Sequence, residues 1–251
     1  MDKDVLFTGL LRLADDHLIL SQRLSEWCGH APSLEEDLAL SNIALDLIGQ
    51  ARSLYDWAGR VEDKGRDEDA LAFLRLERDY VNLQMCEMSN HDFGFTILRQ
   101  LAFSLFMRNF WEQALTSREE TLAGIAGKAI KESTYHVRHS AEWVIRLGDG
   151  TDESRRRLLE ALERLSPYWG EMFEDDAIST SLNDAQVMPL PSALKPAWLK
   201  EMGSIFTEAQ IEMPEVEVTL SGGRNGFHTE EMGYLLAELQ YMQRAYPNMS
   251  W

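Results

Sequence analysis

The polar residues that interrupt apolar helical faces are where this 251-residue chain could do chemistry, and they form three groups. A buried carboxylate is costly unless a metal or a hydrogen-bonding partner satisfies it. Glu132 and His136 lie within about 40° of each other on a helix and share the stripe of Ile125, Ala129 and Trp143, with His139 close by. Glu87, Asn90 and His91 form a second group, on the same side of an expected helix as Tyr80 and Leu83. Asp46, near Asn42 and Gly49, is the third. Carboxylates and histidines on facing helices are the ingredients of a di-iron site, which takes a Glu from each of two helices and a Glu-x-x-His from each of two others. Here the pattern is degenerate. Asn90 follows Glu87 at the third place and Tyr135 follows Glu132, while His91 and His136 stand one residue too far and are turned by about 100°. Ahead of Glu132 the chain reads Leu101-Ala102-Phe103-Ser104-Leu105, and the nearest glutamate is Glu112. An intact di-iron quartet is therefore not expected and no metal ligand is assigned, with Asp46, Glu87, Asn90, Glu132, Tyr135 and His136 marking degenerate di-iron positions. Glu132 with His136 and Glu87 with His91 read as hydrogen-bonded polar core. The alternative is a self-sufficient di-iron carboxylate oxygenase, or another ferritin-like metal protein, in which a local π-bulge recruits His91 and His136.

These groups have to be held by long helices. Apolar periodicity predicts helices over 5–28, 34–60, 68–88, 90–117, 120–147 and 152–175, with only Pro32 and Pro167 of the seven prolines inside that span. Ser33 followed by Glu36 has the form of a capping box. The helix it opens carries Leu40, Ile43, Ala44, Leu47, Ile48, Ala51 and Leu54 on one stripe and Leu38 and Leu45 on the other side. A helix apolar on two faces needs cover from neighbours, so the isolated chain is expected to expose apolar surface and self-associate. Phe103, Phe106, Phe110 and Trp111 read as core. The fold class is all-α, a helical bundle with short loops. After residue 175 an acidic segment with four prolines, Pro189, Pro191, Pro196 and Pro214, reads as a wrapping arm with a short helix near 192–212 and a strand at 215–220. A final helix over about 228–245 follows the turn from Ser221 to Gly226. A single domain over 1–251 is expected, with 1–175 as bundle core and 176–251 as wrapping segment and C-terminal helix.

Composition narrows the function classes. With 24 Lys plus Arg against 42 Asp plus Glu the net charge is −18, a field that repels a phosphate backbone. No window is apolar enough to span a membrane, the N-terminal residues lack the layout of a secretory signal, and a cytoplasmic protein is expected. Cys28 and Cys86 have neither disulfide-framework nor metal spacing and read as reduced and buried. There is no phosphate loop, Gly-x-Ser-x-Gly or Cys-x-x-Cys.

Several stretches together resemble the C subunits of multicomponent ring-1,2-phenylacetyl-CoA epoxidases. They are Leu20-Ser21-Gln22-Arg23-Leu24-Ser25-Glu26-Trp27-Cys28-Gly29-His30-Ala31-Pro32, Ala44-Leu45-Asp46-Leu47-Ile48-Gly49-Gln50-Ala51-Arg52, Lys128 to Glu132 with Tyr135-His136, and Leu147 to Asp152. The tail adds Gly222-Gly223-Arg224-x-Gly226-x-His228-Thr229-Glu230 and Leu236-Ala237-Glu238-x-Gln240. The resemblance covers nearly the whole chain. It implies a ferritin-like bundle without catalytic residues of its own that serves as structural partner to a homologous catalytic A subunit holding the di-iron centre, within a system that epoxidises phenylacetyl-CoA in aerobic phenylacetate catabolism. Electrons would come from NADPH through a reductase subunit with flavin and iron-sulfur centres. The resemblance also implies contact with the CoA thioester near the interface between subunits, at Asp79, Tyr80, Val81 and Asn82 and at Thr180, Ser181 and Leu182. None of those seven is basic, so phosphate contacts would fall to neighbours such as Arg75 or Arg78.

Overall fold

The computed structural model describes residues 2–247 and 249. It is all-α, as the ferritin-like helical-bundle class requires, and no strand occurs among the described residues. The chain divides into two compact units, one built from residues 1–89 with 221–251 and one from 90–220.

The first unit is organised on a hairpin of α1 (Lys3–Ser25) and α2 (Leu34–Glu62). Asp2 caps α1 by accepting from the Asp4 N–H, and Ser33 caps α2 by accepting from the Glu36 N–H, the bond the sequence spacing predicts. Between Gly9 and Ser21 only Arg12 escapes full burial, so α1 is enclosed nearly all round. It packs against α2, on which Leu40, Ile43, Leu47 and Leu54 are buried. The opposite face of α2 is not enclosed, and Leu34, Leu38, Leu45 and Ile48 stand in solvent.

The helix expected over 68–88 is broken. α3 (Glu68–Phe73) gives way to a 3-10 turn at Glu77–Asp79, an extended stretch through Leu83, and the single turn α4 (Gln84–Glu87). The break has a cause outside the segment's own periodicity: the extended N–H groups of Val81 and Leu83 are taken by carboxylates of α1. After Ser221 the chain rejoins this unit through a 3-10 turn at Gly223–Asn225. It ends in α10 (Glu231–Leu239) and α11 (Tyr241–Ala245), two helices where one was expected. Gly226 sits at φ +72°, and a Cβ there would meet the Arg78 carbonyl oxygen at 2.4 Å, so only glycine lets the tail close on that segment.

The second unit starts with α5 (Phe93–Ala114), capped by Asp92, and α6 (Glu120–Gly148). α5 is buried almost all round, including Phe103, Phe106, Phe110 and Trp111. α7 (Asp152–Leu165) runs into a 3-10 stretch over Ser166–Phe173, and α8 (Ala177–Asp184) and α9 (Pro191–Glu208) follow. α9 buries Leu194, Trp198, Met202 and Phe206 at four-residue intervals, and the Trp198 indole N–H donates to the Ala102 carbonyl at 2.9 Å. The stretch 215–220, expected as a strand, has no ladder partner; its end is pinned by one bond, from the Leu220 N–H to the Pro167 carbonyl at 2.8 Å.

Candidate functional site

In the first unit, three fully buried carboxylates, Asp15 and Asp16 on α1 and Glu87 on α4, organise one polar network. Glu87 accepts from the His228 Nδ1 at 2.8 Å, the Asn82 side-chain amide at 2.9 Å and the Thr229 backbone N–H at 2.5 Å. The other ring nitrogen of His228 faces the Tyr80 carbonyl at 3.0 Å. With an acceptor at each nitrogen, the ring satisfies both only as an imidazolium. Burial pulls its pKa down, but the hydrogen bond and charge of Glu87 outweigh that, and the net shift is upward. Arg23 adds two hydrogen bonds to the Glu87 carbonyl, at 2.9 and 2.7 Å, and lies 3.6 Å from Glu231.

Asp16 is held by Arg224, whose two terminal nitrogens reach its two oxygens at 3.0 and 2.8 Å, and by the Leu83 N–H at 2.7 Å. Arg224 also donates to the Val81 carbonyl at 2.9 Å. Complete burial raises the Asp16 pKa, and Arg224 opposes that without cancelling it. Asp15 accepts from the Tyr55 hydroxyl at 2.5 Å, the Val81 N–H at 2.8 Å and both terminal nitrogens of Arg75. Arg75 lies over the Tyr80 ring, 4.1 Å from its centroid. Burial pushes the Tyr80 hydroxyl up to about 12, so it stays a neutral donor to the Ala72 carbonyl and an acceptor from Gln240. One partner removed from such a buried pair costs about 3–5 kcal/mol, because a charge is stranded.

The positions chosen from sequence fare differently. Glu87 is central, but its imidazole partner is His228, not His91. His91 lies before α5 and packs edge-on against Phe95. Tyr80 is extended chain, not part of a helix with Glu87. Asn90 accepts from Arg99 and, at 3.4 Å, from the Thr96 hydroxyl. In α6, which runs as unbroken α-helix without a π-bulge, Glu132 is 3.3 Å from the Lys128 ammonium, His136 is buried, and Tyr135 is exposed beside His139. Asp46 is half-buried. Both oxygens of Glu87 are taken by donors and the Tyr135 ring faces solvent, so these positions do not fit a di-iron donor set. Among the described residues no cluster of three or more His, Cys, Asp or Glu is placed to hold a metal ion.

Of the thioester-contact positions, Tyr80, Asn82 and Leu182 are buried, Val81 and Ser181 half-buried, and Asp79 and Thr180 exposed. Arg75 is not available for a phosphate, being buried on Asp15, whereas Arg78 is exposed above the Phe227 ring. Cys86 is buried as expected, but Cys28 is exposed, since it falls in the turn after α1 and not on its apolar face. Asp15 and Asp16 were missed as site residues although they carried a signal. They are two adjacent acids inside the apolar run Leu10 to Leu20, where a partner is obligatory.

No helix among the described residues is long and apolar enough to cross a membrane. Against known proteins the chain is 44% identical over 241 residues to the C subunit of 1,2-phenylacetyl-CoA epoxidase from Escherichia coli (strain K12), covering 96% of this chain and 97% of that one. Residues 1–251 also match the pattern of the phenylacetic acid catabolic protein family, so the chain, with its tail motif wired into a buried charge network, belongs to that family.

Proposed function

We propose that this protein is the structural, non-catalytic subunit of a bacterial multicomponent oxygenase that epoxidises the aromatic ring of phenylacetyl-CoA in the cytoplasm during aerobic phenylacetate breakdown. The observation that carries this reading is the likeness to an epoxidase C subunit over nearly the full length of both chains. The network supports it: Asp15, Asp16 and Glu87 are all engaged by arginine, histidine, tyrosine, amide or backbone donors, which suits a rigid frame better than acid–base work on a substrate. The partner is a homologous A subunit that holds the di-iron centre, and a reductase with flavin and iron-sulfur centres delivers electrons from NADPH. This chain binds no cofactor in that scheme. Phenylacetyl-CoA passes near the interface with the A subunit, with Asp79 and Thr180 as its exposed contact positions and Val81 and Ser181 beside them. Tyr80, Asn82 and Leu182 shape those segments from beneath.

The test is reconstitution. The protein, loaded anaerobically with Fe(II), is expected to hold clearly less than two irons per chain and to show no turnover alone. Added to the A subunit and reductase, it is expected to restore NADPH- and O2-dependent epoxidation of phenylacetyl-CoA. Two tightly bound irons with oxygen reactivity in the isolated chain would overturn the assignment.

A further inference from the structure

The turn that brings the tail back to the first unit contains Asn225-Gly226, the one Asn-Gly pair in the sequence. Such a pair carries its own chemistry. The main-chain nitrogen of the second residue can attack the asparagine Cγ, and glycine, having no side chain, leaves that approach unhindered. A bond forms between the Gly226 nitrogen and the Asn225 Cγ, the bond from Cγ to the side-chain nitrogen breaks, and ammonia leaves with the proton of the Gly226 N–H. Water then opens the cyclic imide at either carbonyl, giving aspartate or isoaspartate. In isoaspartate the main chain runs through the side chain and is one atom longer.

The fold keeps the reactants together and holds the reaction back. Asn225 is exposed, so its amide meets water. Gly226 cannot be exchanged for a larger residue, because a Cβ would meet the Arg78 carbonyl oxygen at 2.4 Å. In the closed turn, however, its nitrogen is occupied. The N–H groups of Asn225 and Gly226 donate to the Gly222 and Gly223 carbonyls, each at 2.9 Å, and the Phe227 N–H donates to Gly222 at 3.1 Å. A hydrogen-bonded N–H retains the proton that the attacking nitrogen has to lose. Anchors hold the turn shut on both sides: Arg224 on Asp16 and the Val81 carbonyl, His228 on Glu87 and the Tyr80 carbonyl. Gln84 adds a bond to the Phe227 carbonyl at 2.8 Å. Ring closure therefore waits for local opening, and the anchors set how often that occurs.

We propose that Asn225 is a modification site, converted to aspartate or isoaspartate only when the tail opens, and that the isoaspartate form cannot close again. The extra main-chain atom falls between the Arg224 and His228 anchors, where Gly226 has no room to shift against the Arg78 carbonyl. Displacing either anchor leaves fully buried Asp16 or Glu87 without its counter-charge.

The full chain is incubated at one pH, folded or in urea, and conversion is read by mass spectrometry of the peptide carrying residue 225, with the two products separated by chromatography. Folded wild type is expected to convert at least about tenfold more slowly than the unfolded chain. Asp16→Asn, relative to its own unfolded rate, is expected to recover about tenfold of that protection loss, and Gln84→Met, the milder change, about threefold. Isolated isoaspartate protein is expected to melt below wild type, whereas Asn225→Asp, which leaves the main chain at its normal length, is expected to melt with it. An unfolded chain that does not convert, equal folded and unfolded rates, two variants that both leave the folded rate unchanged, or an isoaspartate form that melts like wild type would overturn the proposal.

Discussion

Replacing Glu87 by Gln tests the buried network at its most constrained point. The carboxylate serves three donors: His228 and Asn82 share one oxygen and the Thr229 N–H has the other. An amide has one oxygen and one NH2, so the variant must set N–H against N–H on one side and forfeit the charge opposite the imidazolium. A hydrogen bond to a charged group contributes about 1.5–3 kcal/mol and a stranded buried donor costs about 1–3 kcal/mol, so about 3–5 kcal/mol is expected at pH 6. The loss depends on pH. The pKa of His228 is raised above its ordinary 6.5. The ionised pair therefore contributes its full stability below about 6.5, and that contribution disappears as pH rises through the folded-state value, a tenfold change in proton affinity being worth about 1.4 kcal/mol. Urea unfolding of the wild type, Glu87→Gln, His228→Gln and the double variant at pH 6 and pH 8.5 gives the coupling energy. It is expected at about 1.5–3 kcal/mol at pH 6 and clearly less at pH 8.5. A coupling below about 0.5 kcal/mol at pH 6, or one equal at the two pH values, would refute the charged-pair reasoning.

Arg224→Ala is expected to cost about 3–5 kcal/mol, because fully buried Asp16 is then left, among the described residues, with the Leu83 N–H; Arg224→Lys is expected to recover part of that, since an ammonium cannot reproduce the two-pronged contact. Gly226→Ala and Gly29→Ala both place alanine at positive φ, but only the first meets a backbone oxygen, at Arg78. Melting curves are expected to show Gly29→Ala losing about 1–2 kcal/mol and Gly226→Ala distinctly more. At Glu132, activity of the reconstituted complex is expected to follow stability, with Glu132→Gln near wild type and Glu132→Ala losing about 1–3 kcal/mol. A folded, partner-bound Glu132→Gln protein without turnover would place chemistry in this chain.

The long helices were legible because their apolar repeat is set locally. The sequence predicted 5–28 and 120–147, and the structure has Lys3–Ser25 and Glu120–Gly148. What was not legible depends on partners far along the chain. Asp16 and Arg224 lie 208 residues apart, and no periodicity in 68–88 reveals that carboxylates of α1 will claim its backbone N–H groups and hold it extended. Glu87 was correctly read as a buried acid, yet it was given His91, four residues away, when its partner lies 141 residues on. Adjacency in sequence favoured the wrong imidazole. The alternation at 215–220 failed for the converse reason: strand periodicity without a neighbouring strand has nothing to pair with.

The return of the tail to the first unit sets an order of events during synthesis. Asp16 and Glu87 emerge from the ribosome well before their partners, since Arg224 follows Asp16 by 208 residues and His228 follows Glu87 by 141. The 90–220 unit, continuous in sequence, can complete itself as it is translated. The first unit has to wait, its buried acids short of their counter-charges, until the segment after Ser221 has been made. A chain stopped shortly before Ser221 would thus lose more than a C-terminal appendage, because its N-terminal helices would be left with acids they cannot neutralise. Quality control acting on chains cut before Ser221 would meet the defect at α1 and α4, far from the cut.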